Sequence, residues 1–184
     1  MTISKSGRAR FLRGFRMTTT VAWAASCIAA PAIAAPSKAP GQPTGTRAMT
    51  PFEIYALYKN KSWQWDNGAG YMTDAGRQFS AWADGDKGKS WAEGRWVITA
   101  TGGLCLNATW HSGQGAFPAK TCFSHRIGNG AIYQKREPDG EWYVFRHAEA
   151  REDDEAHKLV STDLVSQQRD SIKTALGAAQ LPKQ

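Results

Sequence analysis

The chain has 184 residues, with 23 Lys and Arg against 16 Asp and Glu, and three cysteines. That length holds one folded core, and 41% hydrophobic residues with 11% aromatics exclude a largely disordered chain. The net charge of +7 would suggest a polyanionic partner if it were spread over the fold. Instead five basic residues, Lys5, Arg8, Arg10, Arg13 and Arg16, stand ahead of residue 17 with no acidic residue among them.

Those five form the head of a secretory leader. An uncharged stretch follows over 17–30, and Ala32-Ile33-Ala34 supplies the small residues of a cleavage site, so residues 1–34 read as a signal peptide. Cleavage there removes Cys27 and leaves 18 basic residues against 16 acidic ones. The basic excess therefore leaves with the leader, and nucleic acid drops out as a partner. The apolar stretch is shorter than the roughly 20 residues a bilayer core requires and is closed by Pro31, so no stable membrane span is expected after cleavage. The expected location is the periplasm.

Residues 35–49, rich in Pro, Gly, Ser and Thr, read as a disordered leader. Thr50 followed by Pro51 starts a short helix carrying Ile54, Leu57 and Tyr58. Extended segments then follow near 62–65, 70–73 and 77–83, and Asp84-Gly85-Asp86-Lys87-Gly88-Lys89 reads as a solvated turn rather than a calcium loop. A long strand is expected over 91–99. Its Ala92, Gly94, Trp96 and Ile98 share one face, while Trp91, Glu93, Arg95 and Val97 share a more polar one.

Cys105 and Cys122 are the even pair left after cleavage, and an oxidising compartment predicts that they bridge. Placing them opposite each other on antiparallel strands sets Leu104 against Phe123, Leu106 against Thr121, Ala108 against Ala119 and Trp110 against Phe117. Asn107 then opposes Lys120, Thr109 opposes Pro118, and the strands close through Ser112-Gly113-Gln114-Gly115. A one-residue slip would turn Leu104, Leu106 and Phe123 to solvent, which pins the register. A second hairpin joins 131–136 to 141–147 through Glu137-Pro138-Asp139-Gly140, expected as a type I turn with Gly140 at positive φ. Both faces of 141–147 are apolar, so its facing stays open. A helix over 166–176 puts Val165, Ile172 and Leu176 on one face and stops at Gly177. The acidic run 152–155 reads as a solvated segment.

Six to eight consecutive strands with short turns make the fold mainly β. We expect an antiparallel meander forming a small barrel or half-barrel, with a short N-terminal helix and a C-terminal helix. The domain limits are 50–165 for the β domain and 166–184 for the C-terminal helix and tail.

The motifs Lys61-Ser62-Trp63-Gln64-Trp65, Gly68-Ala69-Gly70-Tyr71, Phe79-Ser80-Ala81-Trp82 and Trp91-Ala92-Glu93-Gly94-Arg95-Trp96 occur in order with Thr121-Cys122-Phe123-Ser124-His125-Arg126, Ile132-Tyr133-Gln134 and Glu141-Trp142-Tyr143-Val144-Phe145-Arg146-His147. Together, over 50–165, they resemble the domain-of-unknown-function 995 (DUF995) family of secreted proteins from Gram-negative bacteria. The resemblance implies a periplasmic location and carries no activity, substrate or catalytic residue.

Chemistry must then be sought in the residues. Seven of the eight tryptophans lie between 63 and 142, more than a core of this size requires, and indole faces stack on flat or ring-shaped ligands. With interleaved cations and strand-end histidines, they make Trp91, Glu93, Arg95, His125, Arg126, Arg146 and His147 the candidate ligand-binding residues. The competing reading puts the tryptophans in the core and the arginines outside it. His111, His125, His147 and His157 lack zinc-motif spacing, and no cofactor motif is present. No nucleophile elbow occurs, which leaves Glu93 or Glu141 as the only route to hydrolysis of an envelope glycan or ester. The leading expectation is a non-enzymatic β domain binding a small molecule or an envelope component, with a hydrolase and a pocketless scaffold as alternatives.

Overall fold

The structure is a computed structural model that describes residues 41–179. The leader over 1–34, with Cys27, lies outside the described residues. Ten strands and two helices follow in chain order. Strand β1 is Arg47–Ala48, helix α1 is Pro51–Tyr58, β2 is Lys61–Trp65, β3 is Gly68–Met72 and β4 is Gln78–Gly85. Then come β5 (Gly88–Ile98), β6 (Gly103–Ser112), β7 (Gly115–Gly128), β8 (Ala131–Glu137), β9 (Tyr143–Arg146), β10 (Leu159–Val160) and helix α2 (Ser166–Ala179).

Strands β2 to β9 pair antiparallel in sequence order, β10 adds to the free edge of β2, and β1 pairs with β7. Short turns between consecutive strands force this meander, and the twist of antiparallel strands curls it. The two ends of the path, β10 and β9, are not paired with each other. The fold is accordingly a half-barrel, and side chains rather than a ladder hold its ends together. Trp63 on β2 lies 5.9 Å from Phe145 on β9 in an edge-to-face contact and 5.0 Å from Phe123 on β7.

The inner face is the apolar one. Trp63, Met72, Phe79, Ala81, Ala92, Trp96, Leu104, Ile132 and Phe145 are buried there, and Leu106, Ala108, Trp110 and Phe123 pack against them. Helix α1 starts at a capping box: the Glu53 amide donates to Thr50 Oγ1 at 3.3 Å and the Thr50 amide to Glu53 Oε2 at 2.7 Å. Arg47 adds a two-pronged ion pair to the same carboxylate at 2.6 and 2.8 Å. The helix buries Ile54 and Tyr58 in the core. Helix α2 packs on the outer face of β4 and β5. Its lead-in takes the Trp82 indole N–H on the Leu164 carbonyl at 3.2 Å, and the Leu164 amide donates to Ser62 Oγ at 3.0 Å.

The cysteine hairpin has the expected register at every pair, from Leu104 opposite Phe123 to Trp110 opposite Phe117. Cys105 and Cys122 are bridged with their Cα atoms 4.1 Å apart. The loop-entropy view assigns a bridge across such an interval about 3 kcal/mol. On β5 the expected split also holds, with Ala92 and Trp96 buried inside and Glu93, Arg95 and Val97 exposed outside.

Other expectations are corrected. The leader over 35–49 is not free up to its end: Ala48 pairs with Arg126, the Met49 amide donates to the His125 carbonyl at 3.1 Å, and Met49 is buried. Polar composition hid this because β1 needs only two residues to extend the ladder that β6 leaves at Ser124. The Glu137-Pro138 peptide is cis, and Gly140 does not take a positive φ. Gly140 instead brings its amide to the Arg136 carbonyl at 2.9 Å, where a Cβ would lie 2.5 Å from that oxygen. Helix α2 runs through Gly177 to Ala179, since its interior tolerates one glycine at a cost of about 1 kcal/mol.

The acidic run is not simply solvated. Buried Asp154 accepts from the His147 amide at 3.1 Å, His147 Nδ1 at 2.5 Å and the Arg151 amide at 3.0 Å, and Glu155 accepts from the Trp63 indole at 3.0 Å. Burial alone would raise the Asp154 carboxyl; the Arg151 and His147 hydrogen bonds outweigh it and hold it down at about 2. These contacts lace the segment between β9 and β10 across the open side.

Gly94 shows how tightly the curl is drawn, because a Cβ there would lie 2.0 Å from the Asn107 carbonyl oxygen on β6. Gly94→Ala is expected to destabilise by roughly 1–3 kcal/mol through overpacking. Gly113→Ala, with open space and no positive φ, should cost nothing. Paired urea denaturation curves check both.

Candidate functional site

The seven residues singled out from sequence do not come together. Trp91 faces outward, its ring stacked on His111 at 4.0 Å with Lys173 of α2 at 4.4 Å from its centroid. Glu93 is exposed beside it, 3.7 Å from Lys173 Nζ. Arg95 donates to the Gly76 carbonyl at 2.9 Å on the same outer surface. Arg126 anchors the N-terminal segment, with Nε 2.8 Å from Thr46 Oγ1 and Nη2 2.5 Å from the Thr46 carbonyl. Arg146 is exposed, and His147 is held by Asp154. His125 alone points into the core, so the two strand-end histidines do not share a mouth of the barrel. Glu141 sits exposed before β9, and neither it nor Glu93 lines the interior.

A separate aromatic clamp lies beside α1, where the core meets the surface. Tyr55 of α1 stacks on one side of the inward, buried Trp96 of β5 with centroids 6.0 Å apart, and the Arg77 guanidinium lies 4.6 Å and 4.4 Å from their rings. Arg77 takes a positive φ of 54°, a conformation uncommon for a side-chain-bearing residue, and the cation–π contacts offset part of its cost. The arrangement buttresses the short 3₁₀ turn Ala75–Arg77 against the barrel.

What the fold does assemble is a cavity on the inner face, about 670 Å³ in volume. Trp63, Trp65, Phe79, Leu106, Trp110 and Phe123 form its apolar wall, and Thr121, Arg136, Tyr143 and Glu155 supply the polar groups. Strand alternation places these side chains: Phe123 opposes both Leu104 on β6 and Arg136 on β8, so Arg136 lies on the inward face. Volume and lining match those of small-molecule sites, a largely apolar concavity with a few convergent polar groups.

Behind the cavity runs a buried polar chain. Tyr143, at the wall, donates its hydroxyl to Gln134 Oε1; Gln134 Nε2 donates to Tyr58 Oη at 2.7 Å; and His125 Nε2 lies 2.8 Å from Tyr58 Oη and 2.9 Å from Gln134 Nε2. Burial pushes the Tyr58 and Tyr143 phenols up, so both remain protonated. Burial also lowers His125, to about 4, with the Gly102 and Phe123 carbonyls acting in the opposite direction. The ring is therefore neutral at pH 7. With Tyr58 donating to Nε2, the network assigns its proton to Nδ1, which among the described residues has no partner at hydrogen-bond geometry although the Gly102 and Phe123 carbonyls lie near the ring.

Among the described residues, no group of three or more His, Cys, Asp and Glu side chains is placed to hold a metal ion. No helix there is long and apolar enough to cross a membrane. Sequence reasoning missed Trp63, Arg136, Tyr143 and Glu155 as neighbours. Alternation from the correctly derived Phe123 would have reached Arg136 once the β7–β8 turn was known to be Asn129-Gly130.

His125 gives a signed pH dependence. Its folded value of about 4 lies below the ordinary 6.5, so between these the unfolded chain binds a proton that the folded chain does not. Stability then rises with pH across that window and falls by up to roughly 3 kcal/mol as pH drops from 6.5 to 4. Glu53 and Asp154, both held at about 2, lose their contributions only as pH falls below their ordinary 4.5 and 3.8. Unfolding curves at pH 7 and pH 4.5 should show the loss in the native chain and a smaller one in His125→Gln.

Residues 24–165 match the family model described as a protein of unknown function, DUF995. No curated protein and no solved structure matches the chain. The matched span covers well over half of the sequence and contains the cavity-lining residues and the Tyr58–His125–Gln134–Tyr143 chain. This protein therefore belongs to the DUF995 family.

Proposed function

We propose that this protein is an exported, non-enzymatic β domain that binds a small molecule in the concave face of its half-barrel. The observation that carries the reading is the cavity itself, whose wall of tryptophan and phenylalanine meets four polar side chains. Indole and phenyl faces offer dispersion and stacking to a flat or elongated apolar body, while Tyr143 is held in place by Gln134 and so costs little to orient. The tryptophan excess divides between two tasks on this reading. Trp63, Trp65 and Trp110 line the cavity, whereas Trp82 and Trp91 fasten α2 to the outside.

Export is supported by the basic head, the uncharged stretch and the small residues before Ala35, together with the bridge between Cys105 and Cys122. A periplasmic location follows. Nothing in the arrangement favours hydrolysis through Glu93 or Glu141, since both lie outside the cavity.

Two measurements test the proposal. N-phenyl-1-naphthylamine, an uncharged fluorophore, should brighten on binding the protein recovered from the cell envelope and quench its tryptophans. Ala108→Phe, which fills the inner face, should abolish both signals while the far-ultraviolet spectrum is kept; an unchanged titration would reject the cavity as the binding site. The intact mass of the recovered protein should correspond to a chain starting at Ala35 and lacking two hydrogens. A mass that retains residues 1–34 would overturn cleavage.

A further inference from the structure

We infer that the cavity selects an apolar molecule bearing one anionic group, carboxylate or sulfonate, and that Arg136 receives that group; this rests on the ligand-binding reading above. Four polar side chains reach the cavity, and three charges bear on it. Glu155 is already engaged: Oε1 accepts from the Trp63 indole at 3.0 Å and Oε2 pairs with Lys158 at 2.9 Å, which neutralises it. The hydroxyl hydrogen of Tyr143 is committed to Gln134. Arg136 differs, since no carboxylate among the described residues lies within ion-pair distance of it. Its neighbour Lys135 has Glu137 at 3.1 Å.

The register puts Arg136 directly opposite Phe123 and diagonal to Thr121, on the same inward face. The guanidinium thus stands at the edge of an aromatic wall with its donors uncommitted. Its planar fork suits two oxygens of a carboxylate or sulfonate, and proximity to apolar surface strengthens such a pair over one in open water. A cationic ligand would meet Arg136 and have to displace Lys158 from Glu155. An uncharged ligand would gain the apolar wall and leave the guanidinium as it is. The anionic amphiphile is the class that uses both.

The test compares two probes on one aromatic frame, 8-anilinonaphthalene-1-sulfonate and the uncharged N-phenyl-1-naphthylamine, titrated into the protein recovered from the envelope. The sulfonate should bind about tenfold more tightly, as one charge-assisted contact predicts. Arg136→Met should bring the sulfonate down to the affinity of the uncharged probe, with the far-ultraviolet spectrum showing that the variant is folded; Arg136→Lys should retain part of the advantage. Equal affinities in the native chain, or a variant that weakens both probes alike, would overturn the assignment of Arg136 while the cavity reading stood. Failure of the uncharged probe to bind the native chain would overturn the cavity reading, and this inference with it.

Discussion

Trp63 is the contact on which the half-barrel depends. The sheet runs from β10 to β9 without the two ends hydrogen-bonding to each other, so its curl would be free to relax if nothing spanned the opening. One indole spans it. Its ring packs on Phe123, Phe145 and Tyr58, which come from β7, β9 and α1, and its N–H reaches Glu155 in the segment leading to β10. The ring supplies a large apolar surface, and the N–H requires an acceptor, which the half-buried Glu155 between β9 and β10 provides. Asp154 next to it ties that segment to His147, so the apolar closure is backed by a polar one.

A half-barrel held in this way keeps an inner face that is only partly filled. Toward α1, Ile54, Tyr58, Trp96 and Phe145 pack it solid. Elsewhere on that face the small residues Ala83, Ala108 and Ala119 leave room, and the aromatic rings around them become a cavity wall rather than a core. The polar chain from His125 to Tyr143 joins the two regions. A buried network of this kind is stabilising only when its members are satisfied, and the unpartnered Nδ1 of His125 is its weak point. That weakness sits behind a ligand-facing tyrosine, so the chain both orients a group of the wall and makes the core sensitive to acid.

The sequence was most legible where a local rule and a long-range one agreed. The two cysteines, the flanking Leu104, Leu106 and Phe123, and the glycine-bearing turn all demanded one register, and that register is found. Thr50, Pro51 and Glu53 announced α1 in the same way. Legibility ended where an element was too short to carry a period, as with β1 and β10, or where both faces of a strand were apolar, as with β9. It ended again for the site. Trp91 and Arg95 share one strand and His125 and Arg126 another, yet alternation sends His125 inward and Arg126 outward from adjacent positions.

The sequence by itself determined an antiparallel meander, the Cys105–Cys122 hairpin and the two helices, because turn chemistry, side-chain alternation and capping act between residues close in the chain. Only the tertiary structure decided that the sheet stays open between β9 and β10 and that buried Asp154 and half-buried Glu155 of the acidic run fasten it. It alone decided that Trp63, Trp110, Phe123, Arg136 and Tyr143 face one cavity. Those outcomes depend on how far the sheet curls, a property summed over every strand pair and limited by close contacts such as Gly94 on Asn107, which no local pattern records.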